Sequence, residues 1–267
     1  MPSTFLDSTL FKKMYTTAEM REIFSDQATV GRYLEVEQAL AKAQADLGVI
    51  PKDAAAAIIA NARPENIDIE KLGDAVPNVG VPIKALVNQI VAASSEAGQW
   101  AHYGATTQDI MDTSLVLQLR DAIQLVEADL HKIRGLLTNL AQAHKNTPMV
   151  GRSQLQQALP ITFGYKAAVW LSMIERHAER LTQLKPRLFV GQFSGAVGTL
   201  ASLGEIGLAV QKNLCDELGL AQPSISWHTA RDNLAEVVSF LGLLTGSLGK
   251  IGLDIALMAQ TEVGDKS

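Results

Sequence analysis

HYGATTQDIMDTSLVLQLRDAIQLVEADLHKIRGLLTNLAQAH, residues 102–144, decides the fold. From Leu115 onward, Leu119, Ile123, Val126, Leu130, Ile133, Leu137 and Leu140 recur every three or four residues, the period of one helix face. No proline interrupts the run between Thr107 and His144. At 1.5 Å per residue this predicts a helix of roughly 57 Å. Ordinary globular helices have about 11 or 12 residues. A helix this long needs apolar partners along its length, so the expectation is an elongated, oligomeric helical bundle. The head of the run is different in character. Thr106 and Thr107 stand where an N-cap belongs, and Asp109 falls in the first turn. The first N–H groups of a helix lack internal partners and carry the positive end of its dipole. With Gly104 and His102 beside them, these groups could cradle a carboxylate or phosphate. An ordinary threonine-capped helix is the alternative reading.

Outward from this run the helical period persists. Residues 28–47 place Val30, Tyr33, Leu34, Val36, Leu40 and Leu47 on one broad stripe. Pro51 suits the start of the next helix, PKDAAAAIIANA. LGDAVPNVGVP, residues 72–82, reads as loop because of Pro77 and Pro82. Helical patterns return at about 83–95, 160–189, 199–218 and 229–262. No segment shows strand alternation with hairpin turns. The fold class is therefore all-α. A small N-terminal helical domain over 1–110 precedes a long-helix bundle domain over 111–267. The chain ends at TEVGDKS just after a long helix, and the expectation is that the natural protein continues.

The chain has 267 residues, 47% hydrophobic and 19% charged, a globular composition. Its net charge of −5 argues against a broad basic face for nucleic acid. Cys215 is the single cysteine, which excludes an internal disulfide and fits a reducing compartment such as the cytoplasm. The N-terminal stretch MPSTFLDSTLFKK lacks the charged and apolar regions of a signal peptide. The apolar stretches are interrupted by Gly, Gln, Lys or Asp before the roughly 18 residues of a membrane span, so no span is expected.

Three further polar stretches stand out. GRSQLQQALPITFG (151–164) offers the Arg152 fork for a carboxylate and Gln154 as donor and acceptor, with Pro160 opening the next helix. Its other reading is a polar interhelix loop. QFSGAVGTLASLG (192–204) lacks the Lys-Ser/Thr ending of a phosphate loop and reads as flexible loop or close helix packing. SWHTARDNLAE (226–236) begins a long helix, where His228 and Arg231 could face a shared anion, or Arg231 could pair with Asp232 at the surface. His131 and His177 lie within amphipathic helices and read as structural or solvated, and His144 sits at a helix end. No metal-ligand spacing such as HExxH occurs, so no metal is expected.

Read together, these stretches resemble the fumarase/aspartase superfamily. HYGATTQDIMDTSLVLQLRDA is similar to its first signature segment and GRSQLQQALPITFG to its second, and SGAVGTL and the Arg-Asp of WHTARD match as well. AEMREIFSD (18–26), VPIKAL (81–86) and GLLTGSLGKIGLDIALMAQTE (242–262) point, within the superfamily, to its lactone-forming cycloisomerase branch. Adenylosuccinate lyase is the rival branch. It carries a histidine after Arg-Thr in the second segment and an Arg-His-Asp near residue 78, where this chain has Gln154 and PNVG. The superfamily's flexible serine loop, Gly-Ser-Ser-x-Met-Pro, is absent from the sequence.

The resemblance implies a small tricarboxylate substrate, no organic cofactor and no metal. It also implies a homotetramer whose active sites are shared between subunits. It implies that Thr106, Thr107 and His102 meet the negative charge that builds up during reaction, with Gln108 and Asp109 beside them. Arg152 and Arg231 would hold carboxylates, and Gln154 and His228 would line the pocket. The proton donor would lie in the serine loop, with His102 or His228 as the fallback. A helical scaffold that has kept the fold without the catalysis is the alternative.

Overall fold

The computed structural model describes residues 4–263, so expectations touching residues 1–3 and the last four of TEVGDKS lie outside the described residues. The elements are α1 (Lys12–Tyr15), α2 (Ala18–Ile23), α3 (Asp26–Asp46), α4 (Lys52–Asn61), α5 (Ile69–Val79), α6 (Ile83–Ala93) and α7 (Thr107–Ala143). There follow β1 (Pro148–Ser153), β2 (Gln156–Thr162), α8 (Phe163–Leu188), α9 (Gly207–Leu218) and α10 (Asp232–Met258). Two compact units divide the chain, and neither is continuous in sequence. The first combines residues 1–123 with 189–231, the second 124–188 with 232–267, and α7 runs from one into the other.

In the first unit α3 is the central helix. Ser25 caps it by accepting a hydrogen bond from the Ala28 amide. Leu34 and Leu40 are 1% exposed and Val36 is fully buried. Burying each leucine contributes about 1.5–3 kcal/mol. The helix packs on α4 and α9. From Val36 to Ala45 nearly all of its surface is covered, which brings two polar residues, Glu37 and Gln44, into the interior. The stretch around Pro77, read as loop, is helical to Val79. Asp68 caps this helix through the Lys71 amide, and Pro77 falls in the last turns, where it removes one helical hydrogen bond.

In the second unit α8 packs on α10. Trp170 meets Asp254, His177 meets Ser247 and Arg187 meets Glu236, so numbers rise on one helix as they fall on the other and the pair is antiparallel. Trp170, Ile174, Leu181 and Leu184 of α8 and Val237, Phe240 and Leu244 of α10 form the buried seam. His177 is buried, and burial lowers its pKa, with Arg180 and Arg176 adding to the effect. It is a neutral core group hydrogen-bonded through Nε2 to Ser247 Oγ at 2.8 Å.

The reading of the second polar stretch fails here. The second polar stretch is an antiparallel hairpin and not an interhelix loop. Ser153 pairs with Gln156 across a two-residue turn, Gln154–Leu155, in which both residues have positive φ (52° and 62°). Such turns normally advertise themselves as Asn-Gly, and here they do not. Pro160 sits in β2 opposite Val150 and does not open α8. A two-stranded ribbon has only edges, so it tolerates a missing donor. Thr162 is the helix cap instead, accepting from the Tyr165 amide.

The apolar helix α10 differs from the sequence reading in one respect only. An 18-residue window of this helix has mean hydropathy 1.4, apolar enough by length and composition to cross a membrane. Its interruptions are small residues plus Lys250 and Asp254, which form an ion pair with each other. Val238, Leu243, Leu253 and Ile255 stand exposed along it.

Candidate active site

Three of the four polar stretches meet inside the first unit, at the head of α7. Thr107 is the first residue of that helix and Thr106 precedes it. The Thr106 amide donates to Asp109 Oδ2 at 2.9 Å, the reciprocal half of a capping box. Asp109 does much more than cap. Its Oδ1 also accepts from the Ser194 amide (2.9 Å) and Gln192 Nε2 (3.0 Å), and its Oδ2 from the Gly195 amide (2.9 Å). Burial pushes the Asp109 carboxyl above its usual range, against the pull of those donors. Both oxygens are occupied by the protein, so Asp109 ties the first stretch to the third and has no lone pair to spare for substrate donors.

One helical turn on, Asp112 is 2% exposed and receives a two-pronged contact from Arg231 (Nη1–Oδ2 2.9 Å, Nη2–Oδ1 2.8 Å). Gln108 Nε2 donates to the same Oδ1 at 2.8 Å. The partner of Arg231 is thus Asp112 and not its sequence neighbour Asp232. Thr113 and Gln192 exchange a pair of hydrogen bonds, Thr113 Oγ1 to the Gln192 carbonyl (2.7 Å) and the Gln192 amide back to Oγ1 (2.9 Å). His228 lies against this scaffold. Its Nδ1 is 3.2 Å from Ser226 Oγ and 3.3 Å from Ser194 Oγ, and the two hydroxyls are 2.8 Å apart. A cavity of about 330 Å³ opens beside the two serines, bordered also by Gly198, Thr199 and Glu205.

His102 has a different partner. Its Nδ1 lies 2.6 Å from Oε1 of Glu37, which is 1% exposed. Burial pulls the pKa of His102 down, but the charge and hydrogen bond of Glu37, with the charge of Asp109, outweigh this and raise it. Gln44, two turns along α3 from Glu37, donates to the Tyr103 carbonyl at 2.6 Å. The loop that follows is pressed against the third stretch. Gly104 has φ +72°, and a Cβ there would come within 2.8 Å of Leu203 Cγ. Gly195 has φ +74°, and a Cβ there would lie 3.3 Å from the Gly104 carbonyl oxygen. The close approach that sequence suggested for a ligand is used by the protein itself.

Of the residues singled out from sequence, His102, Thr106, Thr107, Gln108, Asp109, His228 and Arg231 all belong to this first unit, whereas Arg152 and Gln154 lie on the hairpin of the second. Among the described residues no three His, Cys, Asp or Glu side chains gather as a metal ion would require. Sequence reasoning passed over Glu37, Gln44, Asp112, Gln192 and Ser194. For two of these a signal exists: Glu37 and Gln44 fall among the apolar positions of α3, between Leu34 and Leu47.

The sequence pattern that defines the lyase family matches residues 12–266. The chain belongs to the lyase family. It is 48% identical over 260 residues to the 3-carboxy-cis,cis-muconate cycloisomerase of Pseudomonas aeruginosa, covering 96% of the chain and 57% of that protein. It is 47% identical over 253 residues to trans-aconitate decarboxylase 1 of Mycosarcoma maydis, covering 94% of the chain and 51% of the relative. The crystal structure of the 3-carboxy-cis,cis-muconate lactonizing enzyme from Pseudomonas putida superposes with a TM-score of 0.92 at 47% identity, covering 96% of the chain and 59% of that structure. The chain thus spans between half and three fifths of the length of these proteins. Its fold is the helical fumarase/aspartase fold that the signature segments implied.

Proposed function

We propose that this lyase is a cycloisomerase that converts 3-carboxy-cis,cis-muconate into 4-carboxymuconolactone, in the protocatechuate branch of aromatic catabolism. The observation that carries the reading is the 48% identity to a cycloisomerase across 96% of the chain. The geometry at the head of α7 supports it. In the reaction one carboxylate adds within the molecule to a conjugated double bond, forming the C–O bond of the lactone. A proton is delivered to the carbon alpha to the far carboxylate. Until that proton arrives, the far carboxylate carries a second negative charge. Donors already aimed at that charge lower the barrier, because they need no rearrangement as it develops.

Thr106, Thr107 and the first N–H groups of α7 supply such donors, with His102 beside them. His228 and the 194–226 hydroxyl pair line the approach. Arg231 keeps 41% of its side chain exposed while braced by Asp112. The edge of the guanidinium that Asp112 leaves holds a second carboxylate and positions the diene for closure. Arg152 and Gln154 act as substrate-binding residues through assembly of a homotetramer with sites shared between subunits. The exposed apolar side chains of α10 suit such an assembly. A cytoplasmic setting accords with a reduced, buried Cys215. The proton donor comes from the superfamily's serine loop or, failing that, from His102 or His228.

A second reading, decarboxylation of trans-aconitate, is favoured by the 47% identity to the Mycosarcoma decarboxylase. Loss of diene absorbance on mixing the full-length natural protein with 3-carboxy-cis,cis-muconate tests the first reading. Carbon dioxide release from trans-aconitate tests the second. Release of carbon dioxide without loss of the muconate signal would replace the first reading with the second.

A further inference from the structure

Glu37 has no part in the reaction as set out above, yet it is one of the most deeply buried charged groups in the first unit. Its side chain is 1% exposed, its Oε1 meets His102 Nδ1 at 2.6 Å, and its Oε2 has no protein partner. A carboxylate taken this far from water is expensive unless a cation or several donors meet it. His102 is the group that meets it.

The backbone tells the same story. His102 has φ +59°, a left-handed conformation that strains a non-glycine residue and persists only where its surroundings enforce it. Two side chains of α3 enforce it. Glu37 grips the ring of residue 102 and Gln44 grips the carbonyl of residue 103. With Nδ1 committed to Glu37, the polar atom left on the ring is Nε2. A ring held in this way donates from Nδ1 to the carboxylate and, when protonated, from Nε2 to a ligand.

We propose that Glu37 is a positioning residue for His102: it fixes the ring and sets a buried carboxylate against Nδ1, so that Nε2–H binds a carboxylate group of the substrate. This rests on the proposed reading of the site as one for a polycarboxylate, and it gives His102 the work of a charge anchor. Two acidic groups act on the ring, Glu37 from α3 and Asp109 from the first turn of α7, and both favour the imidazolium form. Asp109 is spent on amides and Gln192, so Glu37 is the one whose removal should be felt at the ring.

The test separates charge from shape. In Glu37→Gln the amide oxygen can still accept from Nδ1, but the negative charge is gone. The imidazole titration of His102 is followed by NMR on the full-length protein with labelled histidine, the signal being assigned by its loss in His102→Gln. The wild-type ring should titrate above the ordinary histidine value of 6.5. In Glu37→Gln it should fall by about one pH unit, a tenfold loss of proton affinity, and Glu37→Asp should recover part of it. With 3-carboxy-cis,cis-muconate, KM should rise about tenfold in Glu37→Gln with kcat changed much less, as expected for lost ground-state binding.

A wild-type ring that titrates at or below 6.5, or one that Glu37→Gln does not move, overturns the proposal. Should Glu37→Gln fail to fold, the wild-type titration and Glu37→Asp still decide. A titration that shifts as expected in a protein inert towards the muconate would sink the substrate reading and leave the Glu37–His102 assignment standing, because the titration involves no substrate.

Discussion

At the head of α7 Asp109 is wholly buried and accepts from four donors, whereas on α10 of the second unit Val238 and Leu253 stand 70% and 61% exposed. The first region is polar and inside; the second is apolar and outside. Each inverts the usual arrangement, and each inversion has a physical meaning. Buried polar groups destabilise unless every one is paired, so a satisfied cluster of them marks a place where geometry is held for a purpose. A run of exposed apolar side chains marks a surface prepared for another surface. The first unit holds its polar groups paired and fixed, while the second leaves apolar side chains of α10 open.

The comparison breaks most readily at Asp109. Asp109→Ala strips the partner from several buried N–H groups, each worth about 1 kcal/mol or more when left unpaired, so we expect a loss of about 3–5 kcal/mol in denaturant unfolding. A loss under about 1 kcal/mol would mean that water replaces the carboxylate and that the cluster is less closed than it looks. Next comes Thr107→Ala. It removes a hydroxyl from the half-buried start of α7, so turnover should fall about a hundredfold while the unfolding midpoint stays put. Near-normal turnover would remove Thr107 from the cradle.

The second region is probed by Leu253→Asp. Helix content should be unchanged by circular dichroism while the sedimenting mass falls to that of a smaller assembly, because a charge is placed on the surface proposed to be covered in the tetramer. An unchanged mass would mean that this face is not the one that associates. A gentler test uses pH. The folded-state pKa of His102 lies above its ordinary 6.5, so the stability it lends is full below that pH and is lost as pH rises through the folded value. Thermal melts across that interval should decline with a slope of up to about 1.4 kcal/mol per pH unit, and Glu37→Gln should flatten the decline. The smallest effect belongs to the hairpin. Leu155→Gly relieves a positive φ at an exposed residue and should raise stability by up to about 1 kcal/mol, read from the same melts.

Much of the architecture was legible because it is periodic. The apolar repeat from Leu115 to Leu140 announced α7 to within a residue of its end, and the stripe through Val30, Leu34 and Leu40 announced α3. The hairpin was not legible. Its turn is Gln-Leu where Asn-Gly would be expected, its second strand contains Pro160, and that strand is exposed from Gln156 to Pro160, so no alternation of burial is written into its residues. At the candidate site, residue types in the first and fourth stretches flagged segments that the fold brings together. The pairings themselves were hidden, since nothing local says that Arg231 chooses Asp112, 119 positions away, over the adjacent Asp232. Glu37 was readable in principle, as a charge on an apolar stripe, but its meaning depends on a loop 65 residues downstream.

The discontinuity of the first unit bears on how the molecule comes into being. Asp109 bonds to residues 83, 85 and 86 positions ahead of it, and the Arg231 that braces Asp112 is the last residue of the unit. During synthesis residues 1–123 therefore wait while the whole of 124–188 is made before their own closing segment arrives. Contacts of such long sequence separation form slowly, because loop entropy must be surrendered before they repay it. The helices can form as they emerge from the ribosome, but the buried corner around Asp109 and Asp112 is among the last things the chain can complete. A newborn chain would pass through an interval in which it is largely helical while Asp109 and Asp112 still lack their partners.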